Sequence, residues 1–316
     1  MTAQILVTRK LPPSIEHALS QRFAARLNAD DSALSPQELV ARSADVDGLL
    51  VCHLDRLSAE VIGALPARCR IITTYSTGTE HIDLAAASAR GIVVANAPGG
   101  ATRATAEIAI LLMLAAARRA HEGDTMIRNG AWDRWAPLGT LGIGLDGKTL
   151  GLVGMGRIGH AVAVVAEALG MQIRFLGSGQ RSDGDPRRCT SLKELFSSAD
   201  VISFHCPSLP STRHLLNHES VQWLRDGAIV VNTARGNVVL DEALIGALKS
   251  GKVAAAGLDV FENEPDLNPE YRTLKNTFLL PHWGGATMQT RIQLGQACVD
   301  NQTAFFAGEP VPGKVN

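Results

Sequence analysis

The sequence predicts an α/β protein: a doubly wound parallel sheet, with a second, smaller α/β domain built around it. Three observations carry this. Short apolar runs alternate with helical patterns along most of the chain, which is the rhythm of βαβ units. Three glycines, in Gly154-Met155-Gly156-Arg157-Ile158-Gly159, stand between one such run and an apolar helix. The chain has 316 residues, enough for roughly two domains.

The elements follow in order. Ile5–Thr8 reads as a strand and Pro13–Phe23 as a helix, with Pro and Ser at its start. Gly48–Cys52 is a strand, Ser58–Leu65 a short helix, Arg70–Tyr75 and Ile92–Ala95 two more strands. Pro98-Gly99-Gly100 breaks the rhythm. Thr102–Arg119 is then a long helix, apolar on more than one face and so buried between units. Asn129-Gly130 marks a turn, and a Gly-rich loop from Gly139 to Gly147 leads into a second series. Its strands are Thr149–Val153, Gln172–Leu176, Val201–His205, Ala228–Asn232, Ala254–Asp259 and Thr277–Leu280. Its helices include Ile158–Leu169, Ser191–Phe196 and Asp241–Lys249. The tail after Thr287 is one more helix with no sheet of its own, so the six-strand series is read as an insertion. The expected boundaries are residues 1–97 with 287–316 for the outer domain and 98–286 for the inner one.

Composition excludes several classes. Lys plus Arg is 30 and Asp plus Glu is 31, a net charge of −1, so no broad field invites nucleic acid or an anionic membrane surface. Hydrophobic residues at 46% and charged residues at 19% exclude disorder. The longest apolar run, Ile108–Ala117, has 10 residues, whereas a membrane span needs about 18. Ile5-Leu6-Val7 is too short for the core of a signal peptide. Five scattered cysteines (Cys52, Cys69, Cys189, Cys206, Cys298) form no CxxC pair. That argues against a disulfide framework and a zinc site, and for reduced thiols in a cytoplasmic protein. His205 and Cys206 lack further ligands at suitable spacing, so no metal is expected.

The G-x-G-x-x-G motif follows a strand and opens a helix, the context that makes it a dinucleotide (Rossmann) fingerprint. Gly154 permits the tight turn, Gly156 the approach of the pyrophosphate, and Gly159 close helix–strand packing. The helix start at Arg157 and Ile158 offers unpaired N–H groups and a positive dipole. Enzymes that use NAD usually carry an acid about 20 residues on, for the ribose 2′-hydroxyl. Here the next strand ends in Gly177-Ser178-Gly179-Gln180-Arg181, with no carboxylate before Asp183. Ser178 and Arg181 suit a 2′-phosphate, because a guanidinium bonds phosphate in bidentate fashion. NADP is therefore expected, with NAD possible if Arg181 is only a solvated loop charge.

Three further segments lie at the carboxyl ends of the later strands, where ligands sit in open α/β sheets. Each brings one polar group. Arg235 can clamp a carboxylate and polarise an adjacent carbonyl. His282 suits proton transfer near neutrality. Glu264 can hold one imidazole nitrogen, fixing the tautomer and favouring the charged form. With these motifs in this order after the fingerprint, the chain resembles the D-isomer-specific 2-hydroxyacid dehydrogenases over nearly its whole length. Within that family it is most similar to the glyoxylate and hydroxypyruvate reductases.

The resemblance implies a Rossmann domain inserted in a flavodoxin-like substrate domain. It also implies hydride transfer between nicotinamide and the C2 of a small 2-oxo or 2-hydroxy acid. Arg235 would bind the substrate's carboxylate and carbonyl, and His282, paired with Glu264, would be the acid. Thr77 and Gly78 would present backbone N–H groups to the carboxylate. Thr105 would lie against the nicotinamide, while His205, Cys206, Pro207 and Thr212 would line the adenosine side. Thr233, Ala234, Asp259 and Gly285 would also touch cofactor, and the protein would be a homodimer. His53 either contacts substrate or is an exposed loop histidine. Trp283, where the family usually has a small aliphatic residue, either walls the pocket or packs within its loop. Arg103, near the start of the long helix, reads as a solvated charge. His81 reads as structural, with Asp83 capping the helix after it, and His214 and His218 as surface residues. Alternatives are a reductase of a larger 2-oxo acid, such as 2-ketogluconate, and a non-catalytic dinucleotide-sensing protein. The complete catalytic set argues against the last.

Overall fold

The structure is a computed structural model that describes residues 2–177 and 184–316. The chain divides into two units, Met1–Ala101 with Ala286–Asn316, and Thr102–Gly285. The first unit begins with β1 (Gln4–Val7), α1 (Pro13–Arg22), β2 (Ala24–Arg26), α2 (Pro36–Arg42) and β3 (Gly48–Val51). It continues with α3 (Ala59–Ala64), β4 (Ile71–Thr74), α4 (Leu84–Ala89) and β5 (Val93–Ala95). The sheet is parallel, in the order β2-β1-β3-β4-β5. That is the flavodoxin-like doubly wound order, with its reversal between β1 and β3. Every residue of β3 and β4 is buried, as expected for strands covered on both faces.

Helix starts in this unit are set by short polar side chains. Ser35 and Glu38 form a reciprocal capping box on α2. Ser58 accepts from Val61 N, and Asp83 from Ala86 N at 2.9 Å, so Asp83 caps its helix as expected. His81 is also structural, bonded through Nε2 to Thr74 Oγ1 at 2.9 Å.

The second unit opens with α5 (Thr102–Ala117) and α6 (Ala120–Arg128). It continues through β6 (Thr149–Val153), α7 (Arg157–Ala168), β7 (Gln172–Leu176), α8 (Leu192–Ser198), β8 (Val201–Phe204) and β9 (Ala228–Asn232). It closes with α9 (Asp241–Ser250), β10 (Val253–Leu258) and β11 (Thr277–Leu279). Its six strands are parallel, in the order β11-β10-β9-β8-β6-β7. The order reverses between β6 and β8, and that switch point is where ligands bind in such sheets.

Apolar clusters cover both faces of this sheet. One centres on Phe196, Phe204, Leu244 and Tyr271, the other on Leu112, Leu150, Leu152 and Phe175 from α5, β6 and β7. Each fully buried Leu, Ile or Phe contributes about 1.5–3 kcal/mol. The chain then returns to the first unit as α10 (Met288–Ala307), capped by Thr287 and stopped by Gly308 in the left-handed region.

The strands foreseen from sequence are present to within a residue or two at each end. Among the strands and α-helices described, β2, α2 and α6 were not foreseen. Among the described residues, no helix is long and apolar enough to cross a membrane.

Candidate active site

The fingerprint loop meets the tests of a dinucleotide cradle. Gly154 has φ +103°, and a Cβ there would lie 2.8 Å from Cys206 N and from the His205 carbonyl carbon, across the β6/β8 switch point. A Cβ on Gly159 would overlap the Gly154 carbonyl, so helix and loop meet backbone to backbone. Gly156, by contrast, opens onto free space, and it caps α7 without any side-chain hydrogen bond. The first N–H groups of α7, at exposed Arg157 and half-buried Ile158, thus begin a helix with no acid in its first turn. That arrangement fits a pyrophosphate. Ser178 and Arg181 lie outside the described residues.

The strip after β8 is held internally. His205 Nε2 bonds Ser203 Oγ at 2.8 Å, and Nδ1 faces Thr233 Oγ1 at 3.3 Å. Burial pushes this imidazole down to about 4. Burial likewise pushes the Cys206 thiol up to about 11. The Thr212 hydroxyl donates to Pro207 O at 2.7 Å and accepts from Leu209 N at 2.8 Å, closing its own turn.

Arg235, Glu264 and His282 follow three neighbouring strands, β9, β10 and β11. Asn232 shapes the first loop: its side chain accepts from Ala234 N and donates to Arg235 O, both at 3.0 Å. Half-buried Arg235 donates from Nη1 to Ala234 O at 2.7 Å. The next residue, Gly236, lies so close to Phe261 that a Cβ would overlap the Phe261 carbonyl group. At this point the loops after β9 and β10 meet main chain to main chain. From the second loop, Glu264 Oε1 meets His282 Nδ1 at 2.6 Å.

His282 itself has φ +57°, an uncommon conformation for a non-glycine residue. Asp259 holds it there. Asp259 O accepts from His282 N at 2.8 Å, and the carboxylate accepts from Trp283 N at 2.6 Å and Gly284 N at 2.7 Å. Burial raises the Asp259 carboxyl above its ordinary range, against the opposing pull of these two bonds. Thr105 Oγ1 donates to Gly284 O at 3.1 Å, tying the start of α5 to the same loop beside half-buried Gly285. Trp283 is 51% exposed.

The sequence reading missed the bracing role of Asp259. It also misplaced His214, which is partly buried and bonded to Glu262 at 3.1 Å, whereas His218 is exposed. A carboxylate six residues before a proline carries no sign of which N–H groups it will face. In the first unit, Thr77 and Gly78 follow β4, and exposed His53 follows β3, at the same carboxyl edge of that sheet. Thr77 Oγ1 donates to Ala97 O at 3.1 Å, and Asn96 donates to Thr77 O at 2.7 Å, so the turn is fastened to the chain after β5. Among the described residues, no group of three or more His, Cys, Asp or Glu side chains is placed to hold a metal ion.

The sequence profile of the D-isomer specific 2-hydroxyacid dehydrogenase NAD binding domain matches residues 110–284. The chain belongs to the D-isomer specific 2-hydroxyacid dehydrogenases. It is 41% identical to a glycerate dehydrogenase of Hyphomicrobium methylovorum, over 96% of each chain. It is 38% identical to a glyoxylate reductase of Thermococcus litoralis, over 100% of this chain and 97% of that one. Among solved structures, an NADPH-dependent glyoxylate/hydroxypyruvate reductase of Sinorhizobium meliloti, in complex with NADP and malonate, superposes with TM-score 0.90 at 30% identity. It covers 100% of this chain and 97% of that one. This dehydrogenase is thus an oxidoreductase whose Rossmann unit carries the fingerprint and the Arg235, Glu264 and His282 set.

Proposed function

We propose that the protein reduces glyoxylate or hydroxypyruvate to the D-2-hydroxy acid and prefers NADPH. The observation that carries this reading is the 2.6 Å contact between Glu264 and His282, on the loop next to Arg235. Arg235 binds the carboxylate and polarises the C2 carbonyl by charge-assisted bonds. Thr77 and Gly78 are assigned to the same carboxylate as backbone donors. Bound reduced nicotinamide supplies the hydride that C2 receives. His282, engaged by Glu264 through Nδ1, delivers the proton from Nε2 to the C2 oxygen as the carbonyl becomes an alcohol. Glu264 fixes which imidazole nitrogen acts, and Asp259 fixes where the ring stands. The glycerate dehydrogenase relative supports the same chemistry, because D-glycerate is the reduced form of hydroxypyruvate.

The preference for NADPH is supported by the acid-free stretch before Asp183 and by the NADPH-dependent relative. A second copy of this chain is proposed as its partner, seated on the apolar surface of residues 127–141. Paired assays test the reading: glyoxylate and hydroxypyruvate, each with NADPH and NADH, compared by kcat/KM. Faster oxidation of NADPH supports both parts, and equal use of NADH removes the cofactor preference. Binding without turnover points to a larger 2-oxo acid or to a sensing role. His282→Ala is expected to cut kcat by about 100- to 10,000-fold, the usual worth of a positioned acid, while cofactor affinity is kept. An active His282→Ala enzyme removes the assigned acid.

A further inference from the structure

We propose that Glu262 is a positioning residue that keeps Glu264 aligned with His282 through an ion pair with Arg213 and a hydrogen bond from His214; the proposal rests on the proton-delivery reading of the Glu264–His282 pair. The segment from Asp259 to Pro265 leaves β10 as irregular chain, and Asn263 within it has φ +61°. A non-glycine residue persists in that region only where its surroundings over-determine it. Three anchors do so. The Phe261 ring lies edge-on to buried Tyr271, with centroids 5.7 Å apart. The Phe261 main chain abuts Gly236. The third anchor is Glu262, whose Oε1 accepts from Arg213 Nη2 at 3.0 Å and from His214 Nε2 at 3.1 Å.

The donors are themselves held. His214 N donates to Asn237 O at 2.9 Å, and the Asn237 side chain bonds Ser208 Oγ at 2.9 Å. The chain around 208–214, the loop bearing Arg235 and the loop bearing Glu264 therefore form one lattice of bonds. Glu264 sits two residues beyond Glu262, and its second oxygen, Oε2, accepts from Phe261 N at 3.3 Å. Releasing Glu262 frees the segment at the point where it must aim a carboxylate at Nδ1.

A structural role changes stability, whereas a positioning role changes proton delivery, so the two differ in what they change. The experiment measures kcat, the solvent deuterium isotope effect and NADPH affinity for Glu262→Ala, in the wild-type and the Glu264→Gln backgrounds. Misaimed by about an ångström, the pair is expected to lose about 10- to 100-fold in kcat. The isotope effect rises and NADPH affinity is unchanged. In the Glu264→Gln background the same change costs nothing further. Glu262→Gln, which keeps an acceptor, recovers most of the loss. Equal losses in both backgrounds, or a fully active Glu262→Ala, overturn the proposal. If Glu262→Ala does not fold, Arg213→Ala combined with His214→Ala replaces it in both backgrounds, with the same outcomes. Full activity of His282→Ala, which does not involve Glu262, overturns the underlying reading and the proposal with it.

Discussion

His282, Glu264 and Arg235 each follow a different strand, and the sequence singles out each for the same reason. A guanidinium, a carboxylate and an imidazole placed after successive strands of a doubly wound sheet have few other uses at its carboxyl edge. What holds them was not legible. Asp259 spends its carboxylate on Trp283 N and Gly284 N, and Glu262 on Arg213 and His214. The partner of a carboxylate is decided by tertiary structure, and spacing along the chain does not report it. Gly236 belongs with these, because nothing in Arg235-Gly236-Asn237 announces that Phe261 lies against it. Gly236→Ala is expected to lower unfolding stability by about 1–3 kcal/mol, as overpacking does. It is also expected to raise KM for the 2-oxo acid by displacing Arg235. Urea titration and initial rates check both, and a variant with unchanged KM separates the glycine from the substrate.

At the scale of elements, alternation and apolar runs were enough for the ten strands that carry them. The eleventh, β2, is Ala24–Arg26, three residues with no apolar run, recruited to the sheet edge by main-chain pairing with β1. Helix α6 went unseen because only Arg118 and Arg119 separate it from α5, and the break is made by Arg119 at φ +53°. One cross-link between elements has a measurable consequence. His205 joins β8 to the chain after β9 through Ser203 and Thr233, and burial holds its imidazole near 4, against an ordinary 6.5. Between those values the unfolded chain takes up a proton that the folded chain refuses. Stability is therefore lost as pH falls from about 6.5 toward 4, by up to about 3 kcal/mol from this group. Urea unfolding followed across that window should be less pH-sensitive in His205→Asn. Identical slopes in the two proteins refute the assignment.

The insertion of one α/β unit within another was readable from two events, the break at Pro98-Gly99-Gly100 and the solitary helix after Thr287. On the larger unit, the segment Met126–Leu141, with Trp132 and Trp135, carries more apolar residues than one domain core needs, which the sequence already displays. Trp132, Trp135, Leu138 and Leu141 stand between 57% and 86% exposed, and Ile127 on α6 lies close before them in the chain. Such exposure is what the proposed contact with a second copy of this chain requires. Light scattering at micromolar concentration is expected to give twice the 33.5 kDa chain mass. Trp135→Glu with Leu138→Glu is expected to halve it. A monomer before mutation removes the second copy as the partner.

The main-chain contact between Gly236 and Phe261 also bears on how such an enzyme diverges. Two loops of the candidate site are joined at a point that offers no side chain to vary, so selection cannot adjust their spacing by substituting at the joint. Substrate preference must instead drift through residues that the joint leaves untouched, and the half-exposed Trp283 beside His282 is one of these. A library that holds Gly236 constant and randomises position 283 should then hold many active variants with altered preference, whereas the reverse library should be mostly inactive.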